Sequence, residues 1–186
     1  MANPKIHPNL LIDRLLTVFR TLGYDGASMT ELAAATGLKK ASLYHRFPEG
    51  KQAMAQAVLD HLAVWTKEYL TEVVQTSQPL ETKLDTIFGN IRDLYHGGTV
   101  ACVYRALSHG TAAPLFEEAI ATQFREWMDG FARLAVEAGL EQKAAEQLGK
   151  DAVVRIQGVL ILSQVFHQPE LFEQTLEDIR SLLKQQ

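Results

Sequence analysis

Apolar positions recur along this chain with a helical period, and glycines and prolines punctuate them. Leu11, Leu15, Val18, Phe19 and Leu22 step by three or four, which places them on one face of a helix from about Pro8 to Leu22, with Gly23 as its stop. A long helix is predicted from near Gly50 to about Gln75, with Met54, Val58, Leu62, Trp65 and Tyr69 inward. Pro79 breaks the pattern, and Leu84, Ile87, Phe88, Ile91 and Tyr95 form the next stripe. His96-Gly97-Gly98-Thr99 reads as a loop, and a short helix from about Val100 to Ser108 is closed by Gly110. Pro114 opens a long helix with Ile120, Phe124, Trp127, Met128, Phe131 and Leu134 inward, ended by Gly139. The segment from about Lys143 to His167 is helical and apolar on nearly all sides around Gly158 to Leu162. Pro169 starts a last helix with Phe172, Leu176, Ile179, Leu182 and Leu183 inward. No segment has the alternation of a strand, so the predicted class is all-α.

The stretch Ser28–Phe47, SMTELAAATGLKKASLYHRF, carries the most chemistry. Ser28 and Glu31 form an S-x-x-E capping box, which starts a helix at about Met29. Gly37 supplies the left-handed residue that ends it. Leu38, Leu43 and Phe47 give the following helix one buried stripe, leaving Lys39, Lys40, Ser42, Tyr44, His45 and Arg46 outward. Cations and hydroxyls on a slim face are what a helix needs in a DNA major groove. The competing reading is a helical hairpin with a solvated polar face. Against it, Leu38 to Pro48 contains no acidic residue, and Ala41 and Ser42 are small where a duplex would press.

Gly23-Tyr24-Asp25-Gly26-Ala27-Ser28, Met29 to Leu38, and Leu43-Tyr44-His45-Arg46-Phe47 together resemble the N-terminal domain of TetR-family bacterial regulators. Phe47-Pro48-Glu49-Gly50-Lys51 resembles the LmrA/YxaF-like branch, where a similar phrase opens the fourth helix. Gly98 to Val103 is similar to a Gly-Cys-Pro segment of that branch, with Ala101 and Val103 replacing the neighbours of Cys102. Lys39 stands where a capping serine or threonine is frequent, and Ala41 where glycine is. The resemblance implies a three-helix DNA-binding domain at 1–50 and a helical effector-binding and dimerisation domain at 51–186. It places Ser28, Lys39, Lys40, Ala41, Ser42, Tyr44, His45 and Lys51 against operator DNA, with Lys51 on a phosphate.

Charge changes the picture modestly. Residues 1–50 hold six Lys/Arg against four Asp/Glu, and residues 51–186 hold twelve against eighteen, so a basic head sits on an acidic body. Lys5 and His7 are placed to reach a phosphate ahead of the first helix. A single cysteine, Cys102, excludes an intrachain disulfide and a cysteine-rich zinc site. Leu10 to Phe19 is interrupted by Asp13 and Arg14, unlike a secretory signal, and no apolar run has the length of a membrane span. A cytoplasmic protein without membrane contact is expected.

Trp65, Tyr69, Phe88, Tyr95, Cys102, Phe124, Trp127 and Phe131 come from several predicted helices. Pattern alone reads them as core, and Tyr95, Tyr104, His109 and Gln123 are the polar neighbours that a pocket there would use. The resemblance implies that they line a pocket for a small apolar or aromatic effector. The surplus apolar circumference of the last two helices predicts a homodimer through Val153, Leu160, Ile161, Phe172, Leu176, Ile179 and Leu183, with Gly158 and Ser163 permitting close approach. Six scattered histidines form no metal motif, and no nucleophile elbow or phosphate-binding glycine loop occurs. The reading is therefore a TetR-like, ligand-relieved repressor with no cofactor, metal or catalytic residue. The alternatives are a helical protein-interaction module without DNA binding and a small helical enzyme.

Overall fold

Helical stripes become buried helix faces in the computed structural model of the chain, which describes residues 6–184. Lys5 lies outside the described residues. The elements are α1 Pro8–Gly26, α2 Met29–Thr36, α3 Lys40–Arg46, α4 Lys51–Thr66, α5 Glu72–Gln75, α6 Leu80–Leu94, α7 Val103–Leu107, α8 Ala113–Glu137, α9 Gln142–Phe166 and α10 Glu170–Lys184. No strand occurs among the described residues. The chain forms two units, one made by the residues up to Ala63 with Val103–Ile120, the other by Val64–Cys102 with the chain from Ala121 onward.

In the first unit, Leu11, Leu15, Val18 and Phe19 of α1 close on Leu32, Leu38, Leu43, Met54, Val58 and Leu62, all buried. Leu22, expected inward, is exposed. The cause is Gly23, whose φ of 68° and ψ of 176° break the helix and bring Tyr24 to the inner side instead. Arg14 donates to the Thr36 carbonyl at 3.0 Å, tying α1 to an otherwise orphaned carbonyl at the end of α2. The helix predicted from Val100 starts only at Val103, and it packs along α1 with Ala106 and Leu107 buried.

The second unit opens with a change of helical pitch. The turn Lys67–Thr71 is π-helical, so it holds one residue more than an α-turn and resets the inward face. Leu62, Thr66, Leu70 and Val74 are buried at steps of four, whereas Tyr69, expected inward, is exposed and Trp65 is half-buried. The α6 stripe is buried as expected, through Tyr95. Lys83, also buried, is neutralised by Glu137 at 2.7 Å. The α10 positions Phe172, Leu176, Ile179 and Leu183 are buried, while Leu182 is exposed. Glu173 receives Arg92 through both carboxylate oxygens at 2.8 and 2.9 Å.

Helix α9 settles which of its apolar sides faces in. Ala145, Gly149, Ala152, Val153, Ile156, Val159, Leu160 and Ser163 are buried, and Ser163 donates to the Gly98 carbonyl at 2.9 Å. Its other side keeps an apolar stripe in the open. Val154, Ile161, Leu162, Val165 and Phe166 are 60, 44, 48, 65 and 59% exposed.

Gly149 sets the spacing between α8 and α9. A methyl group there would overlap the Met128 carbonyl oxygen and lie 3.0 Å from the Ala132 amide nitrogen, both rigid backbone. Gly149→Ala is therefore expected to lower stability by about 1–3 kcal/mol in a denaturant melt, although alanine is the better helix former. An unchanged midpoint would show that the two helices can separate freely.

Candidate nucleic-acid interface

The capping box expected from Ser28 and Glu31 is formed in both directions. The Ser28 hydroxyl accepts from the Glu31 amide at 3.3 Å, and the Ser28 amide donates to the Glu31 carboxylate at 2.8 Å. The hydrogen bonds from Ser28, side chain first and backbone second, hold the Glu31 carboxyl below its usual pKa. Gly37 closes α2 in the left-handed region with φ 69°, and Leu38 turns straight back into the core.

Helix α3 follows with seven residues and no side-chain cap at Lys39. The missing hydroxyl leaves its first turn bonded through the Lys39 carbonyl, which accepts from the Ser42 and Leu43 amides at 2.9 and 3.1 Å. With Leu38 and Leu43 buried and Phe47 half-buried, the rotation of the helix is fixed. Lys39, Lys40, Ala41, Tyr44 and His45 are exposed on its outer side, and Ser42 is half-buried. The Lys40 ammonium donates to the Thr30 hydroxyl at 2.7 Å, which joins the starts of α2 and α3 into one polar surface with Ser28. Thr30 was not among the residues expected from sequence; its signal was its place two residues past the Ser28 cap. Lys51 differs from the other candidates. It is half-buried, its ammonium donates to the Tyr24 carbonyl at 2.7 Å, and it lies 4.3 Å from the Tyr24 ring centroid.

Residues 11–58 match the profile of bacterial regulatory proteins of the tetR family, and residues 97–178 match the C-terminal domain of LmrA/YxaF-like transcriptional regulators. The chain belongs to the TetR family. An uncharacterised HTH-type transcriptional regulator of Bacillus subtilis, YxaF, is 28% identical over 78% of this chain and 78% of its own. A TetR transcriptional regulator from Legionella pneumophila shares the fold with a TM-score of 0.79 at 18% identity, over 97% of both chains. The regulator CifR, as a cysteine mutant complexed with 26-base-pair operator DNA, shares it at 0.72 and 18% identity, over 100% of this chain and 99% of that one. The protein is thus a TetR-family DNA-binding transcriptional regulator with an N-terminal helix-turn-helix, and these relatives are regulators rather than enzymes.

The remaining candidates of this TetR-family chain fall in the second unit. Trp65 stacks on Trp127 at 5.8 Å between centroids and meets Tyr69 at 5.6 Å. Tyr95 approaches Trp127 at 6.4 Å, and Phe88 approaches Phe131 at 6.1 Å. The Trp127 indole N–H donates to the buried Thr66 hydroxyl at 3.0 Å, and the Tyr95 hydroxyl donates to the Cys102 sulfur at 3.7 Å. The structure therefore joins Trp65, Tyr69, Trp127, Tyr95 and Cys102 in one chain of contacts and Phe88 with Phe131 in another, while Phe124 and Trp65 are half-buried and Tyr69 is exposed. Tyr104 and His109, read as polar neighbours, belong instead to the first unit. A half-open groove of about 340 Å³ lies elsewhere, between α9 and α10, beside Leu148, Arg155 and Ile179.

The expected dimer surface needs correction. Val153, Leu160, Phe172, Leu176, Ile179 and Leu183 are all 3% exposed or less, covered within the protomer, and only Ile161 of the seven faces out. Ser163 is likewise buried. An all-round apolar helix has two candidate stripes, and the expectation took the inner one. No helix among the described residues is long and apolar enough to cross a membrane, and no cluster of three metal-ligating side chains occurs among them.

The capping box has a pH signature. Because the Glu31 pKa is lowered by folding, its stabilisation is complete above the ordinary carboxyl value of about 4.3 and is lost as pH falls through the lowered folded value. Glu31→Ala should lower the melting temperature at neutral pH, and the gap to wild type should close on acidification through that range. A gap that stays constant with pH would assign the loss to helix propensity.

Proposed function

We propose that the protein is a repressor that binds operator DNA as a homodimer in the cytoplasm and is released by a small apolar or aromatic effector. In this reading residues 1–50 read DNA, and residues 51–186 bind the effector and pair the protomers. The observation that carries it is the single outward surface formed by Ser28, Thr30, Lys39, Lys40, Ala41, Tyr44 and His45 at the joined starts of α2 and α3. Lys39 and Lys40 neutralise phosphates or reach guanine edges, the hydroxyls of Ser28, Ser42 and Tyr44 accept or donate at the backbone, and Ala41 lets the helix sink into the groove. Lys51 has two N–H groups beyond the one given to Tyr24, enough for a phosphate. CifR, which shares the fold, is complexed with operator DNA, and this supports duplex DNA as the partner.

The partner in the dimer is a second copy seated on the outward stripe of α9. Val154, Gly158, Ile161, Leu162, Val165 and Phe166 follow the spacing i, i+4, i+7, i+8, i+11 and i+12, one continuous helix face. Gly158 offers open space where a side chain would stand, so two such helices can cross closely. Pairing also matches duplex geometry, since two recognition helices reach half-sites about 34–36 Å apart. The effector site is the ring cluster around Trp65, Phe88, Tyr95, Cys102, Phe124, Trp127 and Phe131, entered past Tyr69. An effector releases DNA only if it binds the non-binding arrangement more tightly, by about 10⁴-fold for a complete switch.

Two measurements test this reading. A duplex enriched by the protein from a random-sequence library should bind with steep salt dependence. Replacing Lys39, Lys40 and Lys51 by alanine should flatten the slope by about 0.9 for each phosphate that is no longer neutralised. Undiminished affinity and slope in the triple variant would remove this face from the interface. For the dimer, Val165→Glu should convert the protein to a folded monomer in light scattering, because the side chain touches solvent in the protomer. A wild-type monomer at micromolar concentration would sink the dimer.

A further inference from the structure

Two consecutive residues, Tyr24 and Asp25, hold three separate parts of the first unit together. Tyr24 is buried, 6.2 Å from Phe19 in a stacked pair and 5.6 Å from Phe116 of α8 edge-on. Its carbonyl receives the ammonium of Lys51, the first residue of α4. The Asp25 carboxylate accepts from the Thr111 amide at 3.1 Å and, in a short contact, from the Thr111 hydroxyl. Thr111 lies in the turn Gly110–Ala112 that leads into α8, 86 residues away along the chain. Gly110 has φ 64°, and a methyl group on it would overlap the Asp25 carboxylate, so the turn is shaped to let that carboxylate in. Asp25 is held below its usual pKa, chiefly by the Thr111 hydroxyl and then its amide, with a smaller contribution from the Lys51 ammonium.

The two anchors differ in kind. Tyr24 and Phe116 are an apolar contact in the core, whereas the Asp25–Thr111 bonds lie at the surface, where water can replace them. The turn that ends α1 therefore carries one permanent attachment and one that breaks easily, both to the start of α8, and it hands its own position to Lys51 at the start of α4. We propose that Asp25 is a positioning residue for DNA recognition, fixing through Thr111 how the start of α8 braces the α1–α4 framework that aims α3. This rests on the reading of the α2–α3 face as the DNA surface. Loss of the bonds lets the framework settle in more than one arrangement, so discrimination between sequences falls while phosphate attraction persists.

The test uses the full chain and two labelled duplexes, one enriched by the wild type from a random library and one scrambled. Asp25→Ala should lower the preference for the enriched duplex about ten-fold without changing the salt slope. Asp25→Asn removes the same charge but keeps an oxygen to accept from Thr111, so it should retain most of the preference. Gly110→Ala should resemble Asp25→Ala, because it forces the turn off the carboxylate. A mere loss of folded protein scales both duplexes equally and leaves their ratio alone. An Asp25→Ala protein with the wild-type ratio overturns the proposal, as does an Asn variant as impaired as Ala. If the wild type enriches no duplex at all, the DNA surface itself is wrong and the proposal falls with it. A triple-lysine variant with weakened binding beside an unchanged Asp25→Ala ratio would keep the surface and reject the positioning role.

Discussion

A helix of seven residues cannot hold itself together in water, where isolated helices shorter than about 12–15 residues are marginal even in favourable sequences. Helix α3 exists because Leu38, Leu43 and the half-buried Phe47 fasten one side of it into the core of the first unit, with α2 as a neighbour. That dependence also frees its other side. The side chains of Lys39, Lys40, Ala41, Tyr44, His45 and Arg46 are exposed rather than part of the core, so that face is open to recognition. In return, the aim of the helix is inherited from whatever braces its neighbours.

The bracing is drawn from distant parts of the chain. Helices α1 to α4 supply the apolar stripes, but Leu107, Ala112 and Phe116, from beyond Cys102, complete the same core. A DNA-reading unit that borrows part of its core from a later segment cannot be cut out at residue 50 without exposing Tyr24, Phe19 and the inner side of α1. The division at residue 50 expected from the sequence and the physical division of the chain are different lines.

Local chemistry was legible in the sequence, and longer-range geometry was not. The capping box, the Gly37 stop and the Leu38–Leu43 stripe are interactions between residues close together in the chain, and each is present as read. The α6 stripe was equally plain, since one face is apolar and the other charged. Tyr69 was misplaced because a π-turn has no marker in the hydrophobic period: it appears only as buried positions that step by four across Leu62, Thr66, Leu70 and Val74. The two sides of α9 are both apolar, so periodicity ranks neither. What decides is Gly149, whose missing side chain lets the inner side approach α8 at Met128 and Ala132. The Asp25–Thr111 tie joins positions 86 apart, and nothing around either residue advertises the other.

The stacked indoles have a spectroscopic consequence. The chain has two tryptophans, and they are the pair Trp65 and Trp127, 5.8 Å apart with planes 20° from parallel. Indole emission from the whole protein thus originates at one spot in the second unit, and the DNA-reading unit is dark. A melt followed by tryptophan fluorescence reports that core, while far-ultraviolet circular dichroism reports every helix. If the two curves separate, the units unfold at different temperatures and a single melting point describes neither.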